Sequence, residues 1–178
     1  MSLHAILAER ENRWNLRQSL AARYRQAVLS LTLNIPGTNK NPDGAAEAFT
    51  RLHEFLYRAV RRQGGESSVT GSILRRGADG FCWITPVALD PLRLKAICVS
   101  VEEEHFLGRL ADADVLDAQG RPVNRVHLGL PPRSCFLCDA PAARCRREGK
   151  HPPEQIGAYV NNLLNLAVHT PREEYSHV

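Results

Sequence analysis

The chain predicts an α+β domain, because from residue 28 strands and helices alternate in the order β-α-β-β-α-β, a long arginine-rich helix precedes them, and a loop-rich Cys3His segment with one more helix follows. That order makes an antiparallel sheet with helices on one face. Residues 3–27 read as the first helix, with Leu3, Leu7, Trp14 and Ala21 at heptad-related intervals and Arg10, Arg13, Arg17, Arg23 and Arg25 among them. Its apolar stripe is thin, so it packs on something larger. Residues 28–33 form the first strand, closed by the turn chemistry of Asn34-Ile35-Pro36-Gly37.

Asp43 caps the next helix, whose apolar positions Ala45, Ala48, Phe49, Leu52, Phe55, Leu56 and Val60 keep the helical period until Gly64-Gly65. Residues 68–74 and 81–87, joined by a turn at 77–80, read as a β-hairpin. A short helix over 91–95 then leads into a strand over 96–101. The stretch 108–150 is loop-rich, with a turn at 117–120, and a final helix from about Pro153 carries Ile156, Tyr159, Val160, Leu163 and Leu164. One domain is expected over 1–178: N-terminal helix 1–27, α+β core 28–107, active-site loop and Cys3His segment 108–150, C-terminal helix and tail 151–178.

At 178 residues the chain can bury most of its apolar surface without disulfides. No stretch reaches the ~20 apolar residues of a membrane span, and no signal peptide is read at the start. Five cysteines, three of them in metal spacing, suit a reducing compartment, so a cytoplasmic protein without a membrane partner is expected. The net charge of +4 permits an acidic or phosphate-rich partner, but the basic residues are too scattered for a nucleic-acid groove.

Cys135, Cys138, Cys145 and His151 follow the spacing C-x2-C-x6-C-x5-H, which gives a closed tetrahedral shell of three thiolates and one imidazole: structural zinc with no open position. The alternative is three unrelated cysteines in an Ala- and Arg-rich loop. Asp112 and Asp114, two apart, project to one side of an extended segment and there can hold magnesium, with water and phosphate oxygens filling its remaining positions. The alternative is a chance D-x-D in a polar loop. His105 is the candidate general base, or a histidine that only hydrogen-bonds its neighbours. Arg109 is placed to neutralise a transferring phosphoryl group, or simply to pair with residues 102–104. Glu102 is set to orient His105 or to ligate metal. Lys40, in a strand-to-helix loop that lacks the P-loop pattern, is placed to meet phosphate.

Arg10-Glu-Asn-Arg13, Asn34-Ile-Pro-Gly37 with Lys40, His105-Phe-Leu-Gly108-Arg109-Leu-Ala-Asp112-Ala-Asp114-Val115, and Gly129-Leu-Pro-Pro-Arg133-Ser-Cys135-Phe-Leu-Cys138 together resemble the apo-citrate lyase phosphoribosyl-dephospho-CoA transferases, from about residue 7 to residue 165. Phe106, Ser134 and residues 124–127 depart from the family's pattern. The resemblance implies a nucleotidyltransferase reaction: a serine of the citrate lyase acyl carrier protein attacks the α-phosphorus of 2'-(5''-triphosphoribosyl)-3'-dephospho-CoA and releases pyrophosphate. It casts Asp112 and Asp114 as magnesium ligands, Arg109 at the leaving group, His105 as base, and Arg10, Arg13, Lys40, Arg125 and Arg133 as phosphate or carrier contacts. The competing readings are the same transfer onto the malonate decarboxylase carrier protein, and a non-enzymatic zinc module gripping a partner through Arg144, Arg146, Arg147 and Lys150.

Overall fold

A computed structural model describes residues 2–67 and 69–171. The helices are α1 (Leu3–Tyr24), α2 (Ala45–Arg62), α3 (Pro91–Glu104), α4 (Ala142–Glu148) and α5 (Pro153–His169), and the strands are β1 (Ala27–Leu33), β2 (Glu66–Ser67), β3 (Ile73–Gly77), β4 (Gly80–Ala88), β5 (Ala111–Leu116) and β6 (Pro122–Val123). Every strand pairing among these residues is antiparallel, in the order β2-β4-β1-β5-β6, with β3 sharing the outer edge of β4. The α+β class and the antiparallel sheet are as expected. No helix among the described residues is long and apolar enough to cross a membrane.

Strand β1 lies at the centre, and its side chains alternate between two layers. Leu29 and Leu31 join Trp83, Ala113 and Val115 under α2, α3 and α5, in the main core. Val28 joins Ile84 and Leu116 under Leu20 and Ala21 of α1, on the opposite face. The face under α1 is graded: beyond Val28 it carries Ser30 and Thr32, opposite Asp114 and Asp112 of β5. Helix α1 therefore covers apolar residues with its C-terminal half and polar ones with Arg13 and Arg17.

Four local expectations change. Of the heptad-like stripe of α1 only Ala21 is buried: Leu3, Leu7 and Trp14 are 63%, 52% and 44% exposed, and Ala21 shares the buried face with Ile6, Arg17 and Leu20. The reason is that the sheet beneath is half polar, so a buried arginine takes a place that an apolar stripe would have assigned to leucine. Helix α2 is entered through Gly44 rather than capped by Asp43; Gly44 has φ +79, and a Cβ there would lie 2.7 Å from the Leu164 carbonyl oxygen, so α5 crosses too closely for any side chain. The first hairpin strand begins at Ile73, after a 3-10 turn over Val69–Gly71, rather than at 68; Ser68 itself lies outside the described residues, as does the tail 172–178.

The largest correction concerns 96–101, which is helix and not strand. Asp90 accepts from the Leu92 and Arg93 amides at 3.0 and 2.9 Å, Pro91 takes the first helical position, and α3 then runs unbroken to Glu104. A short apolar run reads alike as buried strand or buried helix. Here Leu94, Cys98 and Val101, at i, i+4 and i+7, bury one helical face. The β-α-β-β-α-β order survives because its last strand is β5, inside the stretch expected to be loop.

Candidate active site and metal centre

Strand β5 follows α3 through a tight 3-10 turn, Gly108–Leu110, that only glycine permits: a Cβ on Gly108 would lie 2.4 Å from the Val101 carbonyl oxygen. The turn delivers Ala111, Ala113 and Val115 to the main core and leaves Asp112 and Asp114 on the other face, as the i, i+2 spacing requires. Asp112, Asp114, Lys95, Glu102, Asn124, Arg125, Val126, Pro132 and Arg133 line one cleft of about 380 Å³. Of the residues expected from the sequence, Asp112, Asp114, Arg125 and Arg133 are thus brought together.

Burial and then the neighbouring Asp114 carboxylate push the Asp112 carboxyl up, against the lowering pull of Arg133, Arg13 and Lys95. Two carboxylates on one strand face, one of them partly desolvated, are of the donor type that a hard divalent cation takes. Thr32 Oγ1 donates to Asp112 at 3.4 Å, and Arg17, on the buried face of α1, donates to Asp114 at 3.0 Å. Asp114 stays half open, with 53% of its side chain exposed, which leaves it reachable by ligand. The opposite wall is cationic. Arg125 binds Glu102 at 3.1 Å and also Glu103, while Arg133 donates to the Ala111 carbonyl at 2.6 Å and the Arg109 carbonyl at 3.1 Å. Burial pushes the Glu102 carboxyl up, and Arg133 and Lys95 oppose it.

The other expected residues stand elsewhere. His105 is buried, its ring between Phe55 and Phe106, and its Nδ1 accepts from the Leu107 amide at 3.0 Å. Burial and the nearby Arg51 hold its pKa down at about 4. It does not line the cleft, and this placement gives no support to the general-base assignment. Arg109 donates to the Ser134 and Cys135 carbonyls at 2.9 and 2.7 Å and lies over the Phe136 ring, so it clamps the cysteine segment to the end of α3. It too lies off the cleft. Arg13 is paired with Asp79 on the β3–β4 hairpin, Lys40 donates to the Ile35 carbonyl, and Arg10 is exposed on α1. None of these three lines the cleft, although Arg13 is close enough to lower Asp112.

Sequence reading missed Lys95 and Arg17. The first was hidden by the division of α3 into helix and strand, which concealed that Lys95 and Glu102 share a helical face. The spacing Arg10, Arg13, Arg17 was a usable signal for the second, since it puts three guanidiniums along one side of α1.

The cysteine segment closes on itself as expected. The ligand atoms of Cys135, Cys138, Cys145 and His151 all lie within 4.8 Å of one another. The Cys138 and Cys145 sulfurs are 3.5 Å apart, and His151 Nε2 is 3.3 Å from Cys138. Edges of a tetrahedron built on zinc bond lengths are about 3.4–3.8 Å, so these two pairs already stand near edge length, and the wider ones would draw in on a metal. The Ser134–Pro141 bridge and the Cys135 amide on the Ala140 carbonyl at 2.8 Å shape the first pair, and the short α4 presents Cys145. The hydrogen bond from His151 and the Ala140 backbone bring the Cys138 thiol down to about 6, toward the thiolate a metal needs. Arg133 stands two residues before Cys135, so the knot also holds one wall of the cleft.

A family model described as apo-citrate lyase phosphoribosyl-dephospho-CoA transferase matches residues 1–166. The protein of that name from Citrobacter koseri is 30% identical over 168 residues, 94% of this chain and 90% of the relative. One described as probable, from Streptococcus pyogenes, is 29% identical over 169 residues, 93% of this chain and 86% of the relative. The longer Protein CitXG from Haemophilus influenzae is 33% identical over 94% of this chain, which spans 35% of that protein.

Proposed function

The chain belongs to the apo-citrate lyase phosphoribosyl-dephospho-CoA transferase family, and from that premise we propose that it is the transferase that places the phosphoribosyl-dephospho-CoA group on a serine of the citrate lyase acyl carrier protein. The donor is 2'-(5''-triphosphoribosyl)-3'-dephospho-CoA. The serine oxygen forms a bond to the α-phosphorus, the bond from that phosphorus to the β-phosphate oxygen breaks, pyrophosphate departs, and the serine proton passes to base. The observation that carries this reading is the cleft in which Asp112 and Asp114 face Arg125 and Arg133.

Each residue has a part set by its charge and place. Asp112 and Asp114 would hold Mg2+, which when bound screens the triphosphate and stabilises charge on the departing pyrophosphate. Without such a cation the carboxylates would repel the donor. Arg133 and Arg125, held by Glu102 and by backbone carbonyls, would offset phosphate charge across the cleft. Arg17 fixes Asp114 from the other side. Arg10 and Arg13, in the N-terminal half of α1, and Lys40, on the loop after β1, would contact the outer parts of the donor or the carrier. Zinc in the Cys3His knot would hold the segment that delivers Arg133 and takes no part in bond making.

The test is the intact mass of apo carrier protein after incubation with this chain, Mg2+ and the donor. A gain equal to donor minus pyrophosphate is expected, and Asp112→Asn should slow it by roughly a thousandfold, since both the metal seat and the strand charge are altered. No gain with folded, zinc-loaded protein would overturn the assignment of donor and carrier.

A further inference from the structure

We propose that Lys95 and Glu102 are positioning residues for the Asp112–Asp114 pair, acting through the backbone of Ala113; the inference rests on the acidic-cleft reading above. In the ladder between β1 and β5, Asp112 stands opposite Thr32 and Asp114 opposite Ser30. On the other edge of β5, β6 pairs only with Val115 and Leu116. Among the described residues, the backbone of Ala113, between the two aspartates, therefore has no strand beyond it. An unpaired edge group costs free energy and leaves the strand free to flex.

Two side chains of α3 take the place of that strand. The Ala113 amide donates to Glu102 Oε1 at 3.2 Å, and the Ala113 carbonyl accepts from Lys95 Nζ at 2.7 Å. Lys95 and Glu102 are seven residues apart, so they rise from one face of the helix two turns apart. Both are buried, at 6% and 4% exposure. Burying an ammonium and a carboxylate is costly, and a longer β6 would cover the same edge with backbone groups alone. A longer β6 would also fill the space where Asn124, Arg125 and Val126 line the cleft. The side-chain clip orders the strand while the cleft stays open.

The same carboxylate does more than bind Ala113. Its second oxygen takes Arg125 at 3.1 Å and lies 3.8 Å from Arg133. Glu102 thus sets the distance between the cationic wall and the acidic strand, and Lys95 holds the strand from the carbonyl side. Outer-shell partners of this kind tune metal affinity without touching the metal.

The experiment uses the full chain with zinc bound and Mn2+ as the probe, its binding read by electron paramagnetic resonance, beside amide exchange at Ala113. Lys95→Met should weaken Mn2+ about tenfold or more and raise Ala113 exchange, with zinc content and helical signal unchanged. Lys95→Arg, which keeps a charged donor, should recover most of both. Should Lys95→Met fail to fold, Glu102→Gln carries the test, with the same direction expected for Mn2+ affinity. Folded variants that bind Mn2+ as the parent does, with Ala113 exchange unmoved, overturn the clip. Failure of the reading beneath it looks different: the parent protein itself then binds no Mn2+, or Asp112→Asn binds it equally well, and either result overturns both.

Discussion

The Cys3His knot and the acidic cleft are neighbours built in opposite ways. The knot draws its four ligands from seventeen consecutive residues, 135–151, and a short bridge and the short helix α4 bring them together. The cleft takes its walls from α3, β5 and the segment between β6 and the knot, with α1 supplying Arg17 to Asp114 from above. A local site is set by loop geometry, whereas a dispersed one is set by how helices and strands pack. The two meet at Arg133, which belongs to the cleft by contact and to the knot by sequence, and at Arg109, which ties the knot to the turn that launches β5.

Stripping a zinc-loaded knot of its metal should have the largest effect on stability and tests whether the two regions are separable. Chelation, or Cys145→Ser, should release one zinc and unfold the segment 135–151, since structural zinc contributes on the order of 10 kcal/mol to the fold of its own module. Limited proteolysis should cut within that segment while the sheet stays intact. Because Arg133 loses its anchor, transfer should fall at least tenfold. Unchanged transfer would show that the cleft stands without the knot.

A smaller effect sharpens the role of Arg109. Arg109→Met leaves the Ser134 and Cys135 carbonyls without their charged donor, and the protein should lose about 3 kcal/mol in urea unfolding. If Arg109 instead served the leaving group directly, transfer would fall more than a hundredfold with stability unmoved.

The smallest effect concerns His105. Its folded pKa, about 4, lies below the unfolded value of 6.5, so at intermediate pH the unfolded chain binds the proton and the folded chain does not. Stability contributed by the neutral ring is complete above about pH 6.5 and is lost as pH falls toward 4. After allowance for partial solvent screening this amounts to roughly 2 kcal/mol. Glu102 and Asp112, whose carboxyls are pushed up, act in the opposite sense, so the comparison is between the parent and His105→Phe, whose stability difference should change by that amount across this window. A difference that does not vary with pH would remove the buried-histidine account and return His105 to consideration as the base.

The parts of the site that were legible in advance share one property, which is that near neighbours in sequence define them. The Cys3His spacing and the D-x-D pair needed only loop reach and the alternation of a strand. What stayed hidden was Lys95, because an apolar run such as 96–101 carries no mark of whether it is buried as helix or strand until its neighbours are known. Once that run is helix, Lys95 and Glu102 fall on one face and β5 becomes the final strand. His105 and Arg109 sit in the same motif as the aspartates, yet the turn at Gly108 sends them into the core and toward the knot.

By itself the sequence determined the α+β class, the metal-capable knot and the family to which the chain belongs, because composition, spacing and motif are local and survive without coordinates. Only the tertiary structure decided that Arg17 rather than Leu7 or Trp14 is buried on the inner face of α1, that β6 stops short of Ala113, and that Lys95 and Glu102 close the gap. Those outcomes depend on which polar groups meet across distances of tens of residues, and a buried charge is tolerable only where its partners have already been placed by the rest of the fold.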